Sequence, residues 1–218
     1  MEDAVSLRGE VRVVDDVPEG FRELFVQEAP RSFTLSGGST ARACYELLAG
    51  TDGDWGGVDV FFGDERWVPV GDPDSNEGMA RQVLLDRVGA RRVHSMRNAG
   101  NTIDDAADAY DRLLREHGPL DFVHLGLGPD GHTASLFPGS ATLEERKHLV
   151  VAAGDDLHPH PRLTLTLPAL NQSRLAVFTV AGEEKRDALR RVKTGDDLPA
   201  AHVSAARVIW LVDEAADA

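Results

Sequence analysis

Short runs of β-branched and apolar residues recur along the chain, separated by stretches of helical period and by loops rich in glycine and proline. That alternation is the pattern of an α/β fold built on a mostly parallel sheet with helices on both faces, Rossmann-like in layout. The runs predict strands at Val11 to Val14, Ser32 to Leu35, Val58 to Phe62, Phe122 to Leu125, Leu149 to Ala152, Leu175 to Val180 and Val208 to Val212. The clearest helix spans Thr102 to His117, where Ile103, Ala106, Ala107, Tyr110, Leu113 and Leu114 share one face. Thr102 with Asp105 has the spacing of a capping box, and Gly118-Pro119 ends the segment. With 218 residues, 42% of them hydrophobic, the chain fills one core, so residues 1–218 are expected to form a single domain. The sequence shows neither an internal repeat nor a long low-complexity linker.

The glycine-rich and proline-rich stretches fall just after expected strands, where open parallel sheets bind ligands. Leu35-Ser-Gly-Gly-Ser-Thr40 leads from a strand into a helix. Gly37 and Gly38 let the backbone approach a ligand, and Ser39 and Thr40 bring hydroxyls to a helix start that favours anions. An ordinary turn with a Ser/Thr cap explains the same letters equally well. The loop is not a Walker motif, since no Gly-Lys-Ser/Thr follows. Ala41 replaces the last glycine of a nucleophile elbow.

A second loop, Phe61-Phe-Gly-Asp-Glu-Arg-Trp-Val-Pro69, carries Asp64, Glu65 and Arg66 out of a buried-looking strand end. The Arg66 guanidinium either pairs with a carboxylate or presents its fork to an anionic substrate. Which acid faces a site is open.

In the third, Gly126-Leu-Gly-Pro-Asp-Gly131 matches the dinucleotide fingerprint letter for letter. Asp130 facing a pyrophosphate and a proline removing an N–H argue against that reading. The glycines instead turn the chain tightly, so that Asp130 and His132 project from one rigid loop near the sheet's edge. An imidazole suits general-base work near neutral pH, and an adjacent carboxylate fixes its tautomer. A capping aspartate beside a structural histidine is the competing reading. His124, inside the strand, is expected to be a core residue with a satisfied ring.

Late in the chain stand Arg162, in Pro161-Arg-Leu-Thr-Leu-Thr-Leu-Pro168, and Lys185, in Val180-Ala-Gly-Glu-Glu-Lys-Arg186. Lys185 shares a helical face with Ala188, Leu189 and Val192 but occupies the first turn, where the helix dipole disfavours a cation. A bound phosphate resolves that conflict; a lysine stem packed inward with its head in water is the alternative. His158-Pro-His160 suggests a metal pair, but its flanking prolines and the lack of a completing cluster argue against it, and no metal is expected.

The 23 basic and 37 acidic residues leave a net charge of −14, which opposes nucleic acid and anionic membrane surfaces. Any phosphate site must therefore be a local cluster of donors. The one cysteine, Cys44, permits no intrachain disulfide and falls on the apolar side of a helix, as a buried inert thiol. The acidic N-terminus lacks an apolar signal core and no apolar run reaches membrane-spanning length, so the expected location is the cytoplasm.

Taken in order, Leu-Ser-Gly-Gly-Ser-Thr40, Gly-Asp-Glu-Arg-Trp-Val-Pro69 with Asp-Pro-Asp-Ser-Asn76, Gly-Pro-Asp-Gly-His-Thr-Ala-Ser-Leu-Phe-Pro138, Arg-Leu-Thr-Leu-Thr-Leu-Pro168 with Asn171, and Ala-Gly-Glu-Glu-Lys185 resemble the 6-phosphogluconolactonase family over most of the chain. Ala41 departs from the proline often found in the family. The resemblance implies cytosolic hydrolysis of 6-phospho-D-glucono-1,5-lactone to 6-phosphogluconate in the oxidative pentose phosphate pathway. It also implies that no cofactor is used, and a fold similar to sugar-phosphate isomerases and deaminases. The expected partner is the phosphosugar lactone alone, bound by a monomer or weak homo-oligomer.

On this reading His132 is the base, Asp130 orients it, and Arg66 stabilises the oxyanion or positions the substrate. Gly37, Gly38, Ser39, Thr40, Asp64, Arg162 and Lys185 make up the substrate site, with Ser39, Thr40, Arg162 and Lys185 on the phosphate. Two rivals remain. A glucosamine-6-phosphate deaminase or isomerase resembles the same loops but has a glutamate five residues after the histidine, where this chain has Phe137. A non-catalytic sugar-phosphate sensor keeps the pocket without the chemistry.

Overall fold

The computed structural model describes residues 7–97, 100–154 and 159–218. Among the described residues the strands are β1 Glu10–Val13, β2 Ser32–Leu35, β3 Asp59–Phe62, β4 Asp64–Arg66, β5 Arg92–Val93, β6 Phe122–Gly126, β7 Val150–Ala153, β8 Arg162–Leu165, β9 Leu175–Val180 and β10 Arg207–Val212. The main sheet has seven strands in the order β1-β10-β9-β6-β2-β3-β5, and all its pairings are parallel. Every residue of β2 and β9 is buried, which requires cover on both faces of the sheet. Each strand expected from the sequence is present to within a residue or two.

The strand placed by the sequence at Leu149 to Ala152 lies outside this sheet. It is β7, which pairs antiparallel with β8 in a separate three-stranded sheet, β4-β8-β7. Three strands escape the apolar pattern. β4 consists of Asp64, Glu65 and Arg66, β5 has two residues at the sheet edge, and β8 opens on Arg162. The register of the small sheet sets Arg66 opposite Arg162 and Asp64 opposite Thr164, and Asp64 lies 3.7 Å from the Arg162 guanidinium.

The helices are α1 Val17–Glu28, α2 Ser39–Leu48, α3 Asn76–Ala80, α4 Asp86–Val88, α5 Ile103–His117, α6 Leu167–Asn171, α7 Arg186–Thr194 and α8 Glu214–Asp217. A π-helical turn, Arg81–Leu85, joins α3 to α4. α5 begins with the expected capping box: Thr102 and Asp105 each accept from the other's backbone N–H. Its buried face docks through Tyr110, whose hydroxyl accepts from Phe62 N–H at 3.0 Å and donates to His94 O at 3.1 Å. Phe21, Phe25 and Tyr45 of α1 and α2 pack edge-on or tilted against Phe33 and Phe122 of the central strands. Cys44 is fully buried there, and burial pushes its thiol up to about 12.

Strand order fixes where a ligand binds. From β2 the chain continues to β3 and β5 on one side; from β6 it continues to β9 and β10 on the other. β2 and β6 are neighbours, so their outgoing loops diverge and open a crevice at the strands' carboxyl ends. Those two loops carry the Gly-Gly-Ser-Thr and Asp-Gly-His sequences. The Asp130 and His132 loop therefore leaves the centre of the sheet, not its edge as the sequence suggests.

Candidate active site

The loop after β2 is built around two glycines. A Cβ on Gly37 would lie 2.1 Å from Asn76 Oδ1, so only glycine fits against that side chain. Gly38 has φ +95° and is the N-cap residue of α2, where no side chain accepts from the first-turn N–H groups. The Ser/Thr cap that competes with an anion site is thus not formed. Ser39 and Thr40 open α2 and face a crevice together with the glycines.

Asp64 and Glu65 separate cleanly. Asp64 is buried yet lines the crevice, where it accepts from Ser135 Oγ at 2.7 Å and Asn76 Nδ2 at 3.1 Å and lies 3.7 Å from Arg162 Nη1. Glu65 turns away and is spent on the start of α3. It accepts from the N–H groups of Glu77 at 2.7 Å and Asn76 and Arg66 at 2.8 Å, and from Ser75 Oγ at 2.9 Å. Burial raises the Glu65 carboxyl above its usual range, against the pull of those donors. Arg66 reaches the crevice while Nη1 donates to Asp74 O at 2.7 Å.

The loop after β6 folds back on itself: Gly128 N–H donates to His132 O at 2.9 Å and Gly131 N–H to Gly128 O at 3.0 Å. Gly131 has φ +89°. A Cβ on Gly128 would sit 2.1 Å from His132 Nδ1, so the imidazole lies against bare backbone. Asp130 Oδ1 accepts from His132 N–H at 3.1 Å and from Nδ1 at 2.6 Å. Burial opposes ionisation of Asp130, but the amide and ring of His132 prevail and hold its carboxyl below the usual range. An ionised carboxylate only accepts, so Nδ1 carries the ring proton and Nε2 keeps its lone pair. Phe137, 4.9 Å away between ring centroids, packs on the imidazole.

Arg162 opens β8 with 8% of its surface exposed. Lys185 closes a 3₁₀ turn, Glu183–Lys185, and is the N-cap residue of α7, one step before the helical first turn that the sequence suggests. His132, Arg66, Arg162, Lys185, Asp64 and the segment Gly37 to Thr40 all line one crevice of 260 Å³. Asp130 supports His132 from behind. In a chain of net charge −14, two guanidiniums and an ammonium converge on this spot.

Asn76, Ser135 and Glu184 were not singled out from the sequence as site residues. Asn76 and Glu184 line the crevice, and Ser135 holds Asp64. All three lie in stretches that carry the family resemblance: Asn76 in Asp-Pro-Asp-Ser-Asn76, Ser135 in Gly-Pro-Asp-Gly-His-Thr-Ala-Ser-Leu-Phe-Pro138 and Glu184 in Ala-Gly-Glu-Glu-Lys185. Among the described residues, no group of three or more His, Cys, Asp or Glu side chains is placed to hold a metal ion. His158 lies outside the described residues; His160 Nε2 lies 3.0 Å from Asp74 Oδ2.

A family model described as glucosamine-6-phosphate isomerases/6-phosphogluconolactonase matches residues 11–210. The chain belongs to the glucosamine-6-phosphate isomerase/6-phosphogluconolactonase family. A relative from Nostoc sp. named 6-phosphogluconolactonase is 39% identical over 207 residues, covering 88% of this chain and 85% of its own. Another of that name, from Synechocystis sp., is 38% identical over 200 residues, covering 85% and 82%. The crystal structure of a 6-phosphogluconolactonase from Thermotoga maritima superposes with a TM-score of 0.86 at 28% identity, over 95% of this chain and 100% of that one. The Thermotoga maritima enzyme therefore shares the fold described above over the whole of its chain.

Proposed function

We propose that the protein hydrolyses 6-phospho-D-glucono-1,5-lactone to 6-phospho-D-gluconate, the second step of the oxidative pentose phosphate pathway, in the cytoplasm and with no cofactor or metal. The observation that carries this reading is the single crevice in which His132, backed by Asp130, shares walls with Ser39, Thr40, Arg162 and Lys185. The lactonase names of the relatives support the same substrate.

Ser39, Thr40, Arg162 and Lys185 hold the phosphate, with the bare N–H groups of the α2 start adding donors. Gly38, with open space where a Cβ would stand, leaves room for that approach, Gly37 admits the Asn76 side chain beside it, and Asp64 fixes the Arg162 guanidinium. Anchoring the phosphate orients the distant carbonyl, so binding energy is spent on alignment. His132 Nε2 takes a proton from water as the water oxygen bonds to the lactone carbonyl carbon. Arg66 stabilises the oxyanion of the tetrahedral intermediate. The bond from that carbon to the ring oxygen then breaks, and the imidazolium returns its proton to the leaving oxygen.

Phe137 speaks against the deaminase reading. It stands where deaminase loops carry a glutamate, and its ring cannot accept a proton from a substrate carbon. The test is the rate of loss of freshly made lactone in excess chelator, with spontaneous hydrolysis subtracted. The expected result is acceleration well above background. Binding without acceleration would favour a sugar-phosphate sensor, and release of ammonia from glucosamine 6-phosphate would favour a deaminase.

A further inference from the structure

A chain of buried hydrogen bonds beneath the crevice has no part in the proton transfers above. It begins at Ser36, the first residue after β2, whose N–H donates to the Tyr45 hydroxyl at 2.6 Å. That hydroxyl lies 2.8 Å from His124 Nδ1, and His124 Nε2 lies 2.8 Å from Thr179 Oγ1. Thr179 is itself a wall of the crevice, although only 4% exposed. It stands opposite Gly126 across the β6 and β9 pair. A Cβ on Gly126 would meet nothing within 4 Å, so no side chain from that position screens the Thr179 hydroxyl.

The donor order follows from counting protons. Tyr45 has one hydroxyl proton, and His124 Nδ1 at 2.8 Å is a better acceptor position than Ser36 O at 3.3 Å. Nδ1 then accepts, Nε2 carries the ring hydrogen, and Thr179 Oγ1 receives it. The Thr179 hydroxyl still has its own proton to give, and its open side is the crevice. Burial lowers His124 to about 3, so the ring stays neutral and this polarity holds near neutral pH.

The chain ties together the two segments that make the cationic and amide-rich end of the crevice. Ser36 starts the loop that carries Ser39 and Thr40, and β9 runs into the turn that carries Lys185. A fixed donor placed between them suits an oxygen that only accepts, as the oxygens of a phosphate dianion do. We propose that Thr179 is a phosphate-contacting residue, its hydroxyl donating to a phosphate oxygen in an orientation set by Tyr45 and His124. This deepens the lactonase reading and rests on it for the substrate.

The experiment is titration of the protein with inorganic phosphate, alongside steady-state kinetics on the phosphorylated lactone. Thr179→Val keeps the side-chain shape and loses the hydroxyl. It should weaken phosphate binding by about 10- to 100-fold and lower kcat/KM for the phosphorylated lactone to match. Thr179→Ser should stay within roughly threefold of wild type, because it keeps the donor. Wild-type phosphate affinity in folded Thr179→Val overturns the proposal, as does a wild-type protein that binds no phosphate. Should Thr179→Val fail to fold, the wild-type protein labelled with ¹⁵N-histidine supplies the answer. The expected spectrum shows His124 as the neutral Nε2–H tautomer, with a resonance that shifts when phosphate is added. An Nδ1–H tautomer, or no shift, overturns the proposal. If phosphate binds as expected but the lactone is not hydrolysed, the lactonase reading fails and the Thr179 contact stands. If the lactone is hydrolysed while Thr179→Val binds phosphate normally, the contact fails and the reading stands.

Discussion

His132 and Asp130 carry the sharpest predictions at the level of single residues. His132→Ala should lower kcat by roughly 10² to 10⁴, the range for positioned proton transfer. Asp130→Asn should cost less, about 10-fold or more, because the imidazole keeps its seat against Gly128 and Phe137 but loses the carboxylate that fixes its tautomer. Steady-state rates of the folded variants, corrected for spontaneous hydrolysis, check both; full activity in His132→Ala contradicts the assignment. The pairing of Asp130 with His132 could be read from the sequence because both lie within three positions of one loop. The buttressing of Asp64 by Ser135 could not, since those residues are 71 positions apart and meet where Ser135 N–H donates to Thr164 Oγ1, the residue opposite Asp64 in the small sheet. Nor could the division of labour between Asp64 and Glu65 be read, because alternation along β4 sends one to the crevice and the other to α3 only once β4 is known to be a strand.

Among the elements, α5 shows how much local sequence settles. Its apolar spacing, capping box and terminal Gly118 agree with one another, and the helix forms as expected with its start at Ile103. Thr102→Ala should cost about 1 kcal/mol of unfolding free energy, measurable by denaturant titration, with activity unchanged. A loss near zero would mean that the cap is dispensable. β4 and β8 mark the opposite case. They hold Asp64, Arg66 and Arg162 in strands that an apolar pattern does not flag, because those side chains are kept for the crevice; Asp64 and Arg162 approach each other across the small sheet, and Arg66 donates to Asp74 O. α7 buries Ala188, Leu189 and Val192, the residues whose face the sequence assigns to Lys185, but Lys185 itself stands before the helix in a tighter turn that ends at the crevice.

For the molecule as a whole, a mostly parallel sheet is readable from the alternating pattern, whereas its membership and strand order are not: β7 belongs to the small sheet, β5 escapes the pattern, and the order depends on pairings between distant segments. That order sets the site: it places β2 and β6 side by side with diverging exits. The same central pair carries a prediction about stability. Burial lowers His124 from 6.5 to about 3 in the folded chain, so between those values the unfolded chain binds the extra proton. His124 thus contributes stability that is fully present above pH 6.5 and lost as pH falls toward 3. The stability advantage of wild type over His124→Gln should shrink by about 1.4 kcal/mol for each pH unit below 6.5, as read by denaturant unfolding at several pH values. An advantage that does not change between pH 7 and 4.5 would contradict it. The claim on which the rest depends is that one crevice holds a phosphate at one end and a reacting carbonyl at the other. The ratio of kcat/KM for the phosphorylated lactone to that for unphosphorylated glucono-1,5-lactone tests it directly. The expected ratio is on the order of 10² or more, from the loss of at least one buried charged contact; a ratio near one would show that the phosphate is not held and that the crevice does not work as described.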